Sequence, residues 1–301
     1  MAESRLSLIA PASKGDLVHA IASSLPITGL FVPGRSRIKD PPTRLSLSVD
    51  PLLVEGNICC FLAPYPALKR DVERALASGT HVLCAGPLPV NRAEFDRICS
   101  IGQHCGLHFA QGPKPRHSLL HKKLLEQRHA PAFGSPVFLR WVSGGGDGLL
   151  PSWWAVCRAL EQAAELLDDE IEEMRLAAVR RGRRHHLALT VGAAGGSTAQ
   201  LAIAPFHFSP APDIALLGSG GLLSSASLSS ASPVATRRGF HLLPSPEQWP
   251  EVVWLEECIN RMSLDTLLPP PTWPSVAYHR TLLNGLRRAI RTGTPQPIPG
   301  P

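Results

Sequence analysis

The sequence has few aromatic residues and no long apolar run. Phenylalanine, tyrosine and tryptophan make up 6% of the 301 residues, and no run of about 18 consecutive apolar residues is present to span a membrane. The N-terminal stretch MAESRLSLIAPASKG has neither the basic start nor the continuous apolar core of a signal peptide. These absences predict a protein without a membrane span or a secretory signal.

Metal-binding spacings are missing as well. Cys99 and Cys105 are too isolated from other cysteine or histidine pairs to indicate a zinc site, so we expect no bound metal. The seven cysteines are an odd number, and several lie in apolar runs where a thiol behaves as a small hydrophobe. Such thiols favour a reducing environment, and the sequence therefore predicts a cytoplasmic protein.

Nucleic-acid motifs are absent although the formal net charge is +6. The excess charge is concentrated in short clusters such as RRGRRHH at 180–186, where Gly182 between two strand-like stretches indicates an exposed hairpin turn. No aromatic residues for base stacking accompany it. The stretch GGGDG at 144–148 lacks the Lys-Ser/Thr of a phosphate-binding loop and is interpreted as a connector. We expect no nucleic-acid partner.

The first part of the chain contains a regular alternation of strands and helices. Hydrophobic residues make up 44% of the chain and charged residues 18%, which is typical of a globular protein long enough for two domains. Strands joined through helices are parallel, so we predict an α/β domain over 1–115 with a parallel sheet covered on both faces. The strands are expected at 5–10, 27–32, 57–63, 80–85 and 107–112, and the helices at 15–25, 66–79 and 91–106.

The rhythm changes in the second part, for which we predict a separate α/β domain over 116–301. Strands that follow one another without helices indicate antiparallel pairing, so its sheet is expected to be mainly antiparallel. The stretch 218–232, rich in glycine and serine, is interpreted as a loop or loose hairpin, and TPQPIPGP as a proline-rich tail. The strands are expected at 134–144, 172–179, 186–191, 199–208 and 213–217, and the helices at 116–127, 152–167, 249–262 and 275–293.

Three phrases resemble those of one family, the glucose-fructose oxidoreductase and inositol dehydrogenase family (Gfo/Idh/MocA). They are ALASGTHVLCAGPLPVNRAEFDRI at 75–98, FGSPVFLRWV at 133–142 and RTLLNGLRRAIRTGTPQPI at 280–298. The resemblance covers nearly the whole chain in order. It implies a Rossmann domain followed by an α/β domain with an open antiparallel sheet, and transfer of hydride between NAD(P) and sugars, cyclitols or related alcohols.

The family's pyrophosphate-binding turn, G-x-G-x-x-G, is degenerate in this sequence. Glycines in that turn let the backbone approach the phosphates at a helix N-terminus. Here methyl groups and a proline take their place, and only the last glycine remains. Lys14 is most simply a solvated charge, although it and the neighbouring serine could meet a phosphate. The corresponding residues are Ala10, Pro11, Ala12, Ser13, Lys14 and Gly15.

The position that selects the cofactor is basic. After the second strand, Arg35, Ser36 and Arg37 resemble the patch that receives the 2′-phosphate of NADP, and a solvent-exposed basic loop is the alternative. The following stretch, IKDPPTRLSL, has no room for the helix that the family places there. The resemblance therefore implies either no cofactor or weakly bound NADP.

The family's catalytic positions are also replaced in the first domain. The turn after the third strand keeps Pro64 and continues with Tyr65, but Leu68 stands where the family has histidine. The Glu-Lys-Pro turn has become Ala85, Gly86, Pro87. A lysine there acts as an acid/base or as a charge that polarises the reacting hydroxyl. Proton transfer of this kind is worth about 10²- to 10⁴-fold in rate, and glycine can do neither.

In the second domain, the family's helix begins with D-x-G-x-H-x-x-D, which places a general-base histidine and its carboxylate partner. Alignment puts Trp154, Val156, Arg158 and Glu161 at these four positions. Arg158 and Glu161 are three residues apart on one helix face and are most simply an ion pair of small energetic value. The alternative is an anion-binding arginine oriented by a carboxylate.

We therefore hypothesise a non-catalytic relative of these oxidoreductases that binds a small ligand or another protein. The alternative is a divergent NADP-dependent oxidoreductase that acts on a sugar, a cyclitol or another alcohol or carbonyl compound. Its acid/base residues would be Tyr65, Lys69 or Arg158.

The strands of the second domain are two-faced, which predicts association. In VFLRWV, residues Val137, Leu139 and Trp141 point one way and Phe138, Arg140 and Val142 the other. In AQLAIA, Leu201 and Ile203 oppose Gln200 and Ala202 in the same way. One face is expected to take the helices, and the other to be covered in a homo-oligomer or by a partner protein.

Overall fold

The computed structural model divides the chain into two compact units. The first consists of Met1–Pro113 with Gln248–Arg280, and the second of Lys114–Glu247 with Thr281–Pro301. The described residues are 5–33, 38–144, 149–182, 184–204, 212–225, 231–236, 239–244, 249–264, 266 and 268–300.

The first unit is built on a six-stranded parallel sheet. The sequence predicted a parallel sheet with five of these strands but not the two-residue β3. The strand order is β3-β2-β1-β4-β5-β6. From β1 the chain adds strands on one side as far as β3, and it then adds β4, β5 and β6 on the other side of β1. The residues of β1 and β4 are buried throughout, which is why these strands are continuous apolar runs in the sequence. The strands are β1 (Leu6–Ile9), β2 (Ile27–Phe31), β3 (Leu45–Ser46), β4 (Ile58–Phe61), β5 (His81–Cys84) and β6 (Phe109–Gln111).

The helices of the first unit begin at recognisable signals. In α4 (Arg92–His104), Asn91 caps the helix by accepting a hydrogen bond from the Glu94 N–H, and Glu94 accepts one from the Asn91 N–H in return. The sequence predicted this helix and the two before it, but not the short α2. The other helices of this unit are α1 (Gly15–Ser24), α2 (Asp50–Glu55), α3 (Leu68–Ala77) and α7 (Pro250–Ser263).

The second unit is built on a nine-stranded, mainly antiparallel sheet. Its order is β14-β13-β12-β11-β7-β10-β9-β8-β15, and β7 and β10 form a parallel pair within it. Both predictions for the fold class are thereby confirmed. The strands are β7 (Pro136–Gly144), β8 (Ile171–Arg181), β9 (Arg184–Ala193), β10 (Thr198–Ala204), β11 (Asp213–Gly218), β12 (Gly221–Ser224), β13 (Ala231–Thr236), β14 (Gly239–Pro244) and β15 (Gln296–Pro299), and the helices are α5 (Leu119–Arg128), α6 (Leu149–Leu167) and, from Thr281 onward, α8 (Trp273–Thr292).

The sheet of the second unit has one buried and one open face, as the alternation in the sequence predicted. Leu139 and Trp141 of β7 are 0% and 4% exposed, whereas Phe138 and Val142 are only half-buried. Val137 is on the same face of β7 as Leu139 and Trp141 but is 46% exposed, because it lies near the start of the strand.

The stretch 218–232, interpreted as a loop or loose hairpin, contains β12 and the first residues of β13, which pair antiparallel, as the hairpin alternative predicted. The proline-rich tail pairs antiparallel with β8 as β15, at the edge of the sheet. Proline has no N–H to donate, and an edge strand is where that loss is tolerated. In the part of the chain that the structure describes, no helix is both long and apolar enough to cross a membrane.

Candidate functional site

The carboxyl ends of β1 and β4 mark the place where a doubly wound sheet binds its ligand, because the strand order reverses there. Backbone hydrogen bonds extend the sheet by one residue at this edge. Leu62 N–H donates to the Ile9 carbonyl at 2.9 Å, and Ala85 N–H donates to the Phe61 carbonyl at 2.8 Å. The turns that follow these strands therefore start from fixed positions.

The turn after β1 is occupied by side chains rather than left open by glycine. Ala10 is fully buried, and residues Ala12–Lys14, which include Ser13, form one turn of 3-10 helix before α1 begins at Gly15. Gly15 has an ordinary helical φ of −53°, so the fold does not require glycine at this position. Asp16, an exposed residue in the first turn of α1, already provides a carboxylate for the positive end of the helix. An anionic ligand at this terminus would have to approach that negative charge.

The predicted NADP-selecting residues Arg35, Ser36 and Arg37 lie outside the described residues. On either side of them, residues 32–33 and 38–44 contain no helix. This agrees with the shortened connection that the sequence predicted between the second and third strands.

The turn after β4 is fixed by a hydrogen bond to a buried carboxylate. Pro64 is buried, and the hydroxyl of Tyr65 donates to Asp71 Oδ2 at 2.9 Å, while Arg70 Nε lies 3.3 Å from Asp71 Oδ1. The Tyr65 ring stacks on Phe61 with 6.4 Å between ring centroids. Burial, followed by the Asp71 carboxylate, raises the pKa of Tyr65 far above its ordinary value. Tyr65 is therefore a poor proton donor at neutral pH.

The other candidate acid/base residue of this unit, Lys69, is engaged in an ion pair. Its Nζ lies 2.7 Å from Glu94 Oε1. The hydrogen bond from Lys69 lowers the pKa of Glu94, which keeps the carboxylate charged. Leu68, at the family's histidine position, begins α3 and is 1% exposed.

The turn after β5 contains no group that can transfer a proton. Ala85, Gly86 and Pro87 are all buried, and none carries a titratable side chain. At the position where the resembling family has its lysine, this chain has only backbone.

In the second unit, α6 presents the remaining predicted residues. Trp154 and Val156 are buried in the core, whereas Arg158 and Glu161 are half-buried. Glu161 Oε1 lies 3.0 Å from Nζ of Lys114, a residue 47 positions away that sequence reasoning missed. In the sequence, the only indication of a role for Lys114 was its position just after the predicted strand at 107–112. Among the described residues, no group of three or more His, Cys, Asp or Glu side chains could hold a metal ion.

Comparison with known proteins identifies the fold. No protein-family model and no curated protein sequence matches the chain. The solved structure of UDP-N-acetylglucosamine 3-dehydrogenase GnnA from Acidithiobacillus ferrooxidans is similar, with a TM-score of 0.70 and 18% identity over 97% of this chain and 99% of that one. Myo-inositol 2-dehydrogenase from Lactobacillus plantarum has a TM-score of 0.69 and 12% identity, over 98% and 99% of the two chains. An Agrobacterium radiobacter oxidoreductase, solved with NAD+, L-tartaric acid and magnesium, has a TM-score of 0.70 and 13% identity over 98% of each chain.

These likenesses extend over nearly the full length of both chains, so they include both units. The fold is that of a two-unit oxidoreductase with a Rossmann-like parallel sheet. More particularly, it is the fold of the Gfo/Idh/MocA-type oxidoreductases, as the sequence resemblance predicted.

Proposed function

We propose that the protein is a non-catalytic relative of the Gfo/Idh/MocA-type oxidoreductases that works by binding a ligand or another protein. One observation carries this proposal. The side chains that would replace the missing lysine are already engaged, because Tyr65 donates to buried Asp71 and Lys69 pairs with Glu94. The family positions Gly86, Arg158 and Glu161 supply neither its lysine nor its histidine.

The cofactor side of the first unit supports the same proposal. The Agrobacterium oxidoreductase was solved with NAD+, and another fold neighbour, GenD2 from gentamicin A biosynthesis, with NAD. In this chain Pro11 and Ala12 stand where glycine would let backbone approach the pyrophosphate, and Asp16 adds a repulsive charge. If a dinucleotide binds, Arg35 and Arg37 favour NADP over NAD.

The second candidate function is a divergent NADP-dependent oxidoreductase. The observation that favours it is the pair of Lys114 and Glu161, which brings a lysine to the helix position of the family's carboxylate partner, three residues after the position of its general base. In such an enzyme Lys114 or Arg158 would take over the role of the missing histidine.

A turnover assay separates the two functions. Purified protein is incubated with NAD or NADP and a panel of sugars and cyclitols, and reduction of the cofactor is followed by absorbance. The proposed function predicts no reduction above that of a heat-denatured sample. Steady reduction by any polyol that is lost in Lys114→Met or Arg158→Gln would establish the second candidate instead.

We further propose that the open face of the second sheet is buried against a second copy of the chain. Phe138 of β7 is in register with Leu217 of β11, which pairs with Leu222 of β12, so apolar side chains lie side by side on three strands. Leu217 and Leu222 are 43% and 39% exposed. A sheet face of this kind is stabilised when it is covered, and a symmetric dimer does so with the same patch on both subunits.

A further inference from the structure

The last strand of the second sheet covers only part of its neighbour. β15 pairs with β8 only as far as Leu176, which lies opposite Gln296, whereas β8 continues to Arg181. Among the described residues, the stretch 177–181 therefore has a strand partner on the β9 side alone. We call this stretch the β8 edge. An edge of this kind presents N–H and C=O groups that can pair with another strand.

Proline does not block the β8 edge. Two prolines remove N–H groups from β15, whereas residues 177–181 contain none. Val179 is 58% exposed and offers an apolar side chain to a strand that adds beside it. The charged residues of this edge, Arg180 and Arg181, are both positive. Two copies of the edge would therefore repel each other, whereas an acidic strand would be attracted.

Arginines of α8 lie at the same end of β8. β15 is antiparallel to β8, so the chain that precedes Gln296 lies toward the end of β8, and α8 ends there at Thr292. The last turns of α8 carry Arg287, Arg288 and Arg291, which are exposed and form no ion pair within the described part of the chain. The helix dipole accounts for an arginine in the last turn, but like charges three or four residues apart repel one another. An anionic group beside this helix face relieves that repulsion.

The net positive charge of the protein belongs to the second unit. Of the 30 Lys and Arg residues, 13 are in the first unit and 17 in the second, and of the 24 Asp and Glu residues, 13 are in the first and 11 in the second. After Asp265 the chain contains no acidic residue. A partner that meets this end of the second unit is therefore expected to be negatively charged.

The observations favour a peptide over a nucleic acid as this partner. An exposed sheet edge recognises an extended peptide through main-chain hydrogen bonds, and the side chains beside the edge select its sequence. Single-stranded nucleic acid is bound through stacking on aromatic side chains. Neither β8 nor the stretch 281–292 of α8 contains an aromatic residue.

We propose that the β8 edge, together with Arg287, Arg288 and Arg291, binds an extended acidic segment of a partner protein, which adds to the sheet as a strand beside β8. This inference rests on the proposed function, since it names the class of partner that the binding protein takes. The sheet order places the β8 edge on the opposite side of β7 from β11 and β12, so it is distinct from the apolar row of the proposed dimer.

Fluorescence anisotropy with a labelled peptide of about ten residues, in which glutamate and valine alternate, tests the site in the full chain. The wild-type protein is expected to bind it saturably and more weakly as salt is added. The double variant Arg288→Glu with Arg291→Glu is expected to bind about tenfold more weakly, because each change replaces an attraction by a repulsion. Lys39→Glu with Lys122→Glu is the matched control, because it changes the net charge equally at exposed positions on other segments.

A second peptide separates strand addition from simple charge attraction. It has the same sequence with alternate backbone amides N-methylated, so it keeps its charge but loses donors along one edge. We expect it to bind about tenfold more weakly than the parent peptide. Equal binding of the two peptides would overturn the proposal, as would no saturable binding of the parent peptide or equal loss of affinity in the control variant. Tighter binding of a single-stranded DNA of the same charge, lost in the arginine variant, would assign the surface to nucleic acid instead.

Circular dichroism checks the folding of each variant, and Arg291→Gln alone carries the test if the double variant does not fold. The result is independent of the turnover assay. A protein that reduces NADP and binds the acidic peptide would disprove the non-catalytic function and keep the site, whereas one that does neither would do the reverse.

Discussion

The two sheets of this protein bury their side chains differently. In the parallel sheet, the paired strands β1 and β4 are buried on both faces, so neighbouring residues along a strand are equally enclosed. In the antiparallel sheet, neighbours differ, as Leu201 is 1% exposed and Gln200 is exposed. The parallel sheet therefore offers a ligand only the edge where its strands end, and the other sheet offers a whole face.

This difference locates where function can reside. At the edge of the parallel sheet, Pro64 after β4 and the turn after β5 are buried, and Tyr65 and Lys69 are bonded to their own neighbours. In the second unit, the half-buried Arg158 and Glu161 of α6 present charged groups, and the open sheet face presents apolar groups. We therefore propose that a ligand or partner binds to the second unit and that the first unit is a folded scaffold.

The largest expected effect is on the free energy of unfolding, when neighbouring residues are replaced by alanine in a strand of each sheet. Val82→Ala and Leu83→Ala in β5 should each lower the free energy of unfolding by about 2–4 kcal/mol, because both side chains are fully buried. In β10, Leu201→Ala should cost a similar amount and Gln200→Ala less than about 0.5 kcal/mol. Urea unfolding measures all four. An equal loss in the free energy of unfolding for Gln200→Ala and Leu201→Ala would contradict the difference between the two sheets.

The next effect concerns the hydrogen bond at the edge of the parallel sheet. Tyr65→Phe should lower the free energy of unfolding by about 1–3 kcal/mol, because Asp71 is 3% exposed and loses a donor. A double-mutant cycle with Asp71→Asn isolates the interaction. A coupling energy near zero would mean that the bond does not fix this turn, and that Tyr65 is available for other roles.

A change on the open face of the second sheet should affect assembly rather than folding. Phe138→Asp should convert the proposed dimer to a monomer, because it places a charge in the apolar row formed with Leu217. Val54→Asp is the matched control, since Val54 is 83% exposed on α2 and lies in the other unit. Light scattering reports the mass of each variant. A wild-type protein that is a monomer at tens of micromolar would contradict the proposed interface.

The smallest expected effect is a pH dependence that arises in the first unit. Burial, followed by the neighbouring His108, lowers the pKa of His81 below its ordinary value, and His81 Nδ1 accepts a hydrogen bond from the His108 N–H at 3.0 Å. The unfolded chain then binds the proton more readily than the folded chain. This contribution to stability is complete above about pH 6.5 and declines as the pH falls toward the lowered value.

His81→Asn tests this contribution, because asparagine keeps an acceptor but does not titrate. Thermal unfolding between pH 7.5 and 5 should show a smaller loss of melting temperature in the variant than in the wild type. Parallel curves for the two proteins would assign the pH dependence to other groups.

Most of the fold was predictable because its signals are local. Continuous apolar runs and helical spacing located five of the six parallel strands and the helices α1, α3 and α4, and alternation in VFLRWV identified the two faces of β7. The strand β15 was missed because Pro297 and Pro299 are typical of an irregular tail. These residues form a strand because they pair with β8 at the edge of the sheet, where proline is tolerated. Such pairing depends on residues more than a hundred positions away.

The candidate site was predictable only in part. Sequence comparison identified the replaced positions Gly86, Arg158 and Glu161, because they fall inside recognisable phrases. It could not show that Tyr65 bonds to Asp71 or that Lys114 reaches Glu161, since both contacts depend on how separate elements pack. Distant charge pairs leave no periodic signal in a sequence.

The most direct test of the non-catalytic account is a thermal unfolding experiment with NADP and NAD. A cofactor present at about 100 times its Kd stabilises the folded protein by about 2.7 kcal/mol, which raises the melting temperature by several degrees. We expect no measurable increase with NAD, at most a small one with NADP that disappears in the variant with both Arg35→Ala and Arg37→Ala, and no reduction of either by polyols. An increase of several degrees together with steady reduction of the cofactor would contradict the account.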